Sequence, residues 1–205
     1  MAEIGMAWTA RGAWTGIAAA GAFGTPHDGV RVQLREGLGI ASLIAGQEQE
    51  PALERALDSR YGLSLPRGPS AVSSASHTLL WSGPGQWLLL AASSAGFAED
   101  CAGLAGLAAV AEQSDGRAVL SLSGAMVRQT LAKGCMVDLH PRAFPVGTTA
   151  LTSIAYVNIQ LWRAEDGPEG AVYEIMVPRS MAGSFWSWFS ASAAEFGCAI
   201  TVSRD

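Results

Sequence analysis

The sequence predicts an α+β fold with mainly antiparallel sheets, a hairpin–helix–hairpin–helix unit used twice. Three observations carry that expectation. Short alternating strands come in pairs around glycine-containing turns, segments of helical period are interleaved with them, and the element order of the first half recurs in the second.

Val30 to Leu34 alternates Val-Arg-Val-Gln-Leu, the pattern of a half-buried strand, and Glu36-Gly37 turns it into a second strand over Ile40 to Ala45. A helix follows over Pro51 to Tyr61. Proline suits its first turn, and Leu53, Ala56, Leu57 and Tyr61 share one face. Glu48, Glu50 and Glu54 lie near its start and Arg55 and Arg60 toward its end, as the helix dipole favours. Gly62 supplies the stop. Thr78 to Trp81 and Trp87 to Ala91 then form a hairpin around Ser82-Gly83-Pro84-Gly85, with a helix of small residues over Phe97 to Leu107.

The second half begins the same way. Ala109 to Glu112 and Arg117 to Leu122 read as strands joined by Ser114-Asp115-Gly116, where Asp-Gly fits a tight hairpin turn. Ser123 is expected to cap a helix that runs to Lys133 and ends at Gly134. Strands over Leu151 to Ala155, Val157 to Arg163 and Ala171 to Val177 precede a last helix, Met181 to Phe196. Two correspondences support an internal repeat. Leu57…Gly62-Leu63-Ser64-Leu65-Pro66 matches Leu131…Gly134…Asp138-Leu139-His140-Pro141, and Leu80-Trp81…Gly83-Pro84 matches Leu161-Trp162…Gly167-Pro168. The expected organisation is therefore a single domain over 30–205 with halves 30–107 and 108–205. Residues 1–29, rich in Ala and Gly with Trp8 and Trp14, read as a tail that is poorly ordered or ordered by a partner.

Composition narrows the function. Of 205 residues 49% are hydrophobic and only 15% charged, against about 25% charged in an average soluble domain. Either the core is large for the chain or a partner covers part of the surface. The net charge is −5 and the 13 basic residues are scattered, so a nucleic-acid partner is not expected. No apolar run reaches membrane-spanning length. Met1-Ala2-Glu3-Ile4-Gly5 carries an acid where a secretory signal carries bases. Cys101, Cys135 and Cys198 form no metal-type or redox pair. A reduced cytoplasmic setting is the expectation.

No dinucleotide fingerprint, phosphate loop, zinc-protease motif or nucleophile elbow occurs, and His27, His77 and His140 are scattered. The main polar constellation is Asp138-Leu139-His140-Pro141-Arg142-Ala143-Phe144-Pro145. Asp, His and Arg at this spacing suit anion binding or acid–base chemistry. The better reading is a recognition loop stiffened by its prolines, with Asp138, His140, Arg142 and Phe144 as partner-docking residues and Phe144 as the apolar anchor. The competing reading makes Phe144 a plug in the chain's own core. At Ser114-Asp115-Gly116-Arg117, Asp115 and Arg117 are expected to pair across the turn, which at a surface contributes little, and a ligand site there has only that pair behind it. In the last helix Met181, Phe185, Trp188, Phe189, Ser192 and Phe196 form an apolar stripe, and Glu195 is the only charge between Met181 and Gly197. The weakly charged opposite face is expected to be covered as well.

Several blocks together resemble the sarcosine oxidase gamma-subunit family. They are Gly83-Pro84-Gly85-Gln86-Trp87-Leu88-Leu89-Leu90, Gln113-Ser114-Asp115-Gly116-Arg117-Ala118-Val119-Leu120, and Leu131-Ala132-Lys133-Gly134-Cys135 leading into Asp138 to Pro145. Arg179-Ser180-Met181-Ala182…Phe185-Trp186-Ser187-Trp188 and Glu195-Phe196-Gly197 complete the set. The match runs from Val30 to Gly197, and Gly85 departs from it, standing where an acid is common in the family. That family is distantly similar to the folate-binding domain of the glycine-cleavage aminomethyltransferase, whose folate and catalytic residues have no counterparts placed here. The resemblance implies a non-catalytic subunit of a four-subunit complex with alpha, beta and delta-type partners. It implies no cofactor in this chain, FAD, FMN, NAD and zinc in the others, and folate accepting the one-carbon unit released from sarcosine. Two other readings stand beside it. A stand-alone folate-dependent one-carbon transferase needs a pocket with a carboxylate and a flat wall, and a small-molecule binding module needs Trp81, Trp87 and Trp162 around one pocket.

Overall fold

A computed structural model describes residues 11–168 and 170–204. The strands are β1 (Gly21–Phe23), β2 (Val30–Glu36), β3 (Gly39–Ile44), β4 (Ala71–Ser73), β5 (His77–Gly83), β6 (Gln86–Ala91), β7 (Ala109–Glu112), β8 (Arg117–Ser123), β9 (Thr149–Ile154), β10 (Val157–Arg163), β11 (Tyr173–Pro178) and β12 (Cys198–Arg204). The α-helices are α1 (Glu50–Tyr61), α2 (Phe97–Leu104), α3 (Val127–Ala132) and α4 (Ala182–Ala193). A seven-stranded sheet runs β1-β12-β2-β8-β11-β10-β9 and a five-stranded sheet runs β4-β5-β6-β3-β7. Every pairing is antiparallel except β12 with β2, which is parallel.

Alternation along the strands builds four layers. On the larger sheet Val32, Leu34, Leu120, Leu122 and Ile175 point outward and pack with Val127 and Leu131 of α3 and Phe185 and Phe189 of α4. On the smaller sheet Leu43, Leu79 and Leu89 do the same with Leu53 and Leu57 of α1 and Phe97 and Leu104 of α2. The inner faces meet through Ile40, Leu80, Leu88 and Leu90 on one side and Val119, Trp162 and Met176 on the other. The expected mainly antiparallel α+β fold is the one observed.

The expected hairpins at Glu36-Gly37 and Ser114-Asp115-Gly116 are a correction. Neither closes a hairpin: β2 and β3 lie in different sheets, as do β7 and β8. Gly37, at φ 78°, turns the chain across the sandwich, and Ser114–Gly116 is one 3-10 turn. Each strand finds its partner in the other half instead, β2 with β8 and β3 with β7. The physical reason lies in burial. β2 alternates buried and exposed residues, whereas β3 is covered on both faces over Gly39–Ala41, with Gly39 packed against the Phe97 ring.

The two sheets share one plan. Read as β2-β8-β11-β10-β9 and β7-β3-β6-β5-β4, they match strand for strand in chain order within each half, with the opening strand of each half exchanged. The helices after β3 and β8 are then counterparts. The halves are interleaved across residues 107 and 108.

The chain outside this plan also differs from the sequence reading. Residues 11–29 are not a loose tail. The Trp14 side chain is buried, its Nε1–H donates to the Val119 carbonyl at 2.8 Å, and the Ala13 and Trp14 amides donate to the Glu36 carboxylate at 3.0 and 3.1 Å. β1 pairs with β12, and residues 1–10 lie outside the described residues. Gly197, at φ 73°, has the His27 carbonyl where a side chain would stand, so this packing requires glycine there. Ser123 caps no helix: it ends β8, and α3 starts at Val127 after Gly124. The last helix is α4 flanked by 3-10 turns at Arg179–Met181 and Ala194–Phe196. Its buried stripe holds Phe185, Phe189 and Ser192, and Gly183, Ser184, Ser187 and Ala191 are exposed.

Candidate functional site

The segment after α3 is pinned by its own hydrogen bonds. The Asp138 Oδ1 accepts the His140 amide at 2.8 Å, His140 Nδ1 accepts the Arg142 amide at 3.2 Å, and the His140 carbonyl accepts the Ala143 and Phe144 amides at 2.9 and 2.8 Å. Phe144 is a correction. It is 2% exposed and stacked on Tyr173, with ring centroids 6.4 Å apart. The Tyr173 hydroxyl donates to the Leu139 carbonyl and Arg163 Nη1 to the Phe144 carbonyl. Leu139 and Phe144 thus anchor the loop to the chain's own core, where burial removes nearly all of their apolar surface from water. Asp138, His140 and Arg142 stay exposed. Burial raises the pKa of the Tyr173 phenol, which keeps it a donor.

Beside this loop lies the most exposed apolar surface of the larger sheet. The Gly134 carbonyl accepts the Ala155 amide at 3.1 Å and Cys135 bridges to Ile154, which brings Met136 and Tyr156 to the same flank. Met136 is 80% exposed and Tyr156 fully exposed, on a left-handed backbone at φ 66°. Leu151, on edge strand β9, is 59% exposed. Sequence reasoning missed these residues, since nothing in a sequence distinguishes an exposed Tyr from a buried one.

The other sequence-derived clusters come apart. Asp115 and Arg117 do not pair: Arg117 folds back onto the Gln113 Oε1, with Nε at 2.9 Å and Nη2 at 2.7 Å, and Asp115 points to solvent with Arg179 Nη1 4.0 Å from its carboxylate. Trp81 and Trp87 face each other across the β5–β6 hairpin and border one pocket with Arg67 and Pro84, but Trp162 lies in the inter-sheet layer. Trp87 is buried and donates to the Pro66 carbonyl at 2.8 Å. The three tryptophans do not line one pocket.

His77 belongs to a tie between elements. Its Nε2 is 3.2 Å from Asp100 Oδ2, the Tyr61 hydroxyl donates to Asp100 Oδ1 at 2.9 Å, and the two rings stack at 4.1 Å. This joins β5, α1 and α2. Burial and then the Asp100 hydrogen bond push the Tyr61 phenol up to about 12. All three cysteines are free thiols, and burial raises each, Cys198 to about 12. None is therefore held as a thiolate nucleophile at neutral pH. Among the described residues no group of three or more His, Cys, Asp or Glu is placed to hold a metal ion. Nor, among the described residues, is any helix long and apolar enough to cross a membrane.

Comparison with known proteins places the chain. Residues 45–195 match the model of the sarcosine oxidase gamma subunit family. The sarcosine oxidase subunit gamma of an Arthrobacter species is 38% identical over 112 residues, covering 53% of this chain and 55% of that protein. The one from Corynebacterium sp. strain U-96 is 30% identical over 148 residues, 70% of each chain. The match thus spans only a little over half the length of some of these relatives. Among solved structures, a chain of the heterotetrameric sarcosine oxidase from Corynebacterium sp. U-96, in complex with pyrrole 2-carboxylate, superposes with a TM-score of 0.75 and 26% identity, over 91% of this chain and 96% of that one. The glycine cleavage system aminomethyltransferase T from Bartonella henselae shares the fold, with a TM-score of 0.62 and 13% identity over 85% of this chain and 48% of that one. On the family match and the order of its elements, the chain belongs to the sarcosine oxidase gamma subunit family.

Proposed function

We propose that this chain is the gamma-type, non-catalytic subunit of a heterotetrameric sarcosine oxidase that oxidatively demethylates sarcosine or a related N-methyl amine. The carrying observation is the likeness, over nearly the whole of both chains, to a component of such a complex. In this reading alpha, beta and delta-type partners hold the FAD, FMN, NAD and zinc, folate accepts the one-carbon unit, and the complex is cytoplasmic. The chain's own chemistry agrees: its thiols are raised by burial, and its His–Asp–Tyr cluster ties three elements together. The likeness to the aminomethyltransferase is one of fold and supports no transferase activity.

The docking surface in this reading is the flank formed by the 138–145 loop and the Met136–Tyr156 patch. Phe144 and Leu139 hold the loop still, so Asp138, His140 and Arg142 lose little freedom when a partner covers them. Met136 and Tyr156 supply exposed side chains of the kinds enriched at interface centres. Co-expression with the flavin-bearing subunits tests this. The wild-type chain is expected to co-elute with them, and Arg142→Ala combined with Tyr156→Ala to weaken assembly at least tenfold while the chain keeps its unfolding midpoint. Co-elution unchanged by the double variant contradicts this docking flank, and failure of the wild-type chain to co-elute contradicts the subunit reading.

A further inference from the structure

We propose that the cleft between the two sheet-crossing turns is a binding site for a small, multiply charged oxyanion, anchored by Arg117. The cleft lies where the β2–β3 turn, the 3-10 turn at Ser114–Gly116 and the segment 11–15 converge. Its volume is about 480 Å³, within the range of small-molecule sites.

Its charge runs against that of the molecule. Arg11, Arg35, Arg117 and Arg179 line it with Glu36 and Asp115, and Arg35 also meets Glu174 at 3.5 Å, so arginines still outnumber acids there in a chain of net charge −5. The two acids do not neutralise Arg117. Glu36 is occupied by the Ala13 and Trp14 amides, and Asp115 extends into solvent beside Arg179. Arg179 itself donates to the carbonyls of Asp115, Arg11 and Gly12, which fixes it at the rim.

Arg117 is the unusual group. It is half-buried, and both of its side-chain hydrogen bonds run to one neutral acceptor, Gln113 Oε1. Among the described residues it forms no ion pair, and its Nη1 makes no hydrogen bond. Burial lowers its pKa, since a neutral carboxamide replaces only part of the water lost by the charged form. A half-buried guanidinium held by a carboxamide, with one nitrogen left over, costs stability that an oxyanion would offset. Gln113 fixes the plane of the guanidinium, and Ser94 lies on the same wall, whereas the Ser114 hydroxyl is taken up by Glu112 and the Ile40 backbone. Carboxylate and phosphate share the recognising chemistry, so citrate and inorganic pyrophosphate serve as probes.

The full chain is titrated calorimetrically with each probe, against sodium chloride at matched ionic strength. Saturable binding of citrate, pyrophosphate or both, absent with chloride, is expected, and the stronger probe assigns the ligand as a carboxylate or a phosphate. Arg117→Met should weaken that binding at least tenfold while raising the unfolding midpoint in probe-free buffer, because it removes the uncompensated charge. A merely structural Arg117 would lower the midpoint. Ser94→Glu, at an exposed position on the rim, leaves the Arg117–Gln113 contact intact and should also weaken binding at least tenfold. Absence of saturable binding beyond the chloride control overturns the proposal, as does binding unchanged in both variants. Either result leaves the subunit assignment standing, since assembly is read separately.

Discussion

The inner faces of the two sheets occupy equivalent places in the fold and are built from different chemistry. The five-stranded sheet presents Ile40, Leu80, Leu88 and Leu90, with Ser73 and Thr78 beside them in register. The seven-stranded sheet presents Val119, Trp162 and Met176 but sets Arg35, Gln160 and Glu174 among them. Gln160 Nε2 donates to Thr149 Oγ1 at 2.6 Å and to the Trp81 carbonyl at 3.3 Å, while its Oε1 is buried without a hydrogen bond. Glu174 is 7% exposed, meets Arg35 Nη1 at 3.5 Å, and leaves its Oε2 without a hydrogen bond. One face stabilises the sandwich chiefly by excluding water from its leucines. The other gives up some of that stability for polar groups, and the arginine-lined cleft opens at its edge, with Arg35 on its wall.

The comparison can be broken most forcefully on the apolar side. Leu80 is fully buried between the sheets, and Leu80→Ala should cost about 2–5 kcal/mol, read as a lowered urea midpoint with unchanged slope. A loss below about 1 kcal/mol would mean the inner layer is not close-packed.

The polar side gives a smaller, pH-dependent effect. Burial raises the Glu174 pKa above its ordinary value of 4.5, against the pull of Arg35 and Ser121. The folded chain therefore keeps a proton that the unfolded chain has already released. Stability from this group is complete below pH 4.5 and is lost as pH rises through the raised folded value. Glu174→Gln should flatten that decline in unfolding experiments run at successive pH values. A wild-type chain whose stability rises over the same window would contradict it.

The smallest effect belongs to the exposed loop. Arg142 projects from a segment anchored by Leu139 and Phe144, so Arg142→Ala should shift folding stability by less than about 0.5 kcal/mol. A larger loss in thermal unfolding would mean that the loop, and not its two apolar anchors, holds the fold.

Much of the fold was legible because its signals are local. The Leu53–Leu57 spacing with Gly62 behind it gives α1, and Gly62 takes the left-handed cap at φ 68°. The Gly83-Pro84-Gly85 turn gives the β5–β6 hairpin. What escaped was long-range. Cys198–Arg204 carries a weak strand pattern, and it becomes β12 because β2 leaves a parallel edge for it. Trp14 sits in an Ala/Gly-rich segment whose order comes from Glu36 and Val119, residues far along the chain. The Asp-Gly turn has hairpin chemistry, yet Ser114 bonds the Ile40 amide and the chain crosses to the other sheet. For the candidate site, Asp138, His140 and Arg142 were legible as a proline-stiffened polar run, whereas Phe144 has the same one-dimensional signature as an anchor and is a plug. The cleft was not legible, since Arg35, Arg117 and Arg179 meet only through the crossing of the sheets.

The most direct test of the subunit account is the absorption spectrum and sarcosine turnover of the purified chain, alone and after mixing with the flavin-bearing subunits. The account predicts no flavin absorbance and no turnover from the chain alone, with the chain entering an active complex on mixing. Flavin bound to the isolated chain, or sarcosine oxidised by it without partners, would contradict the account.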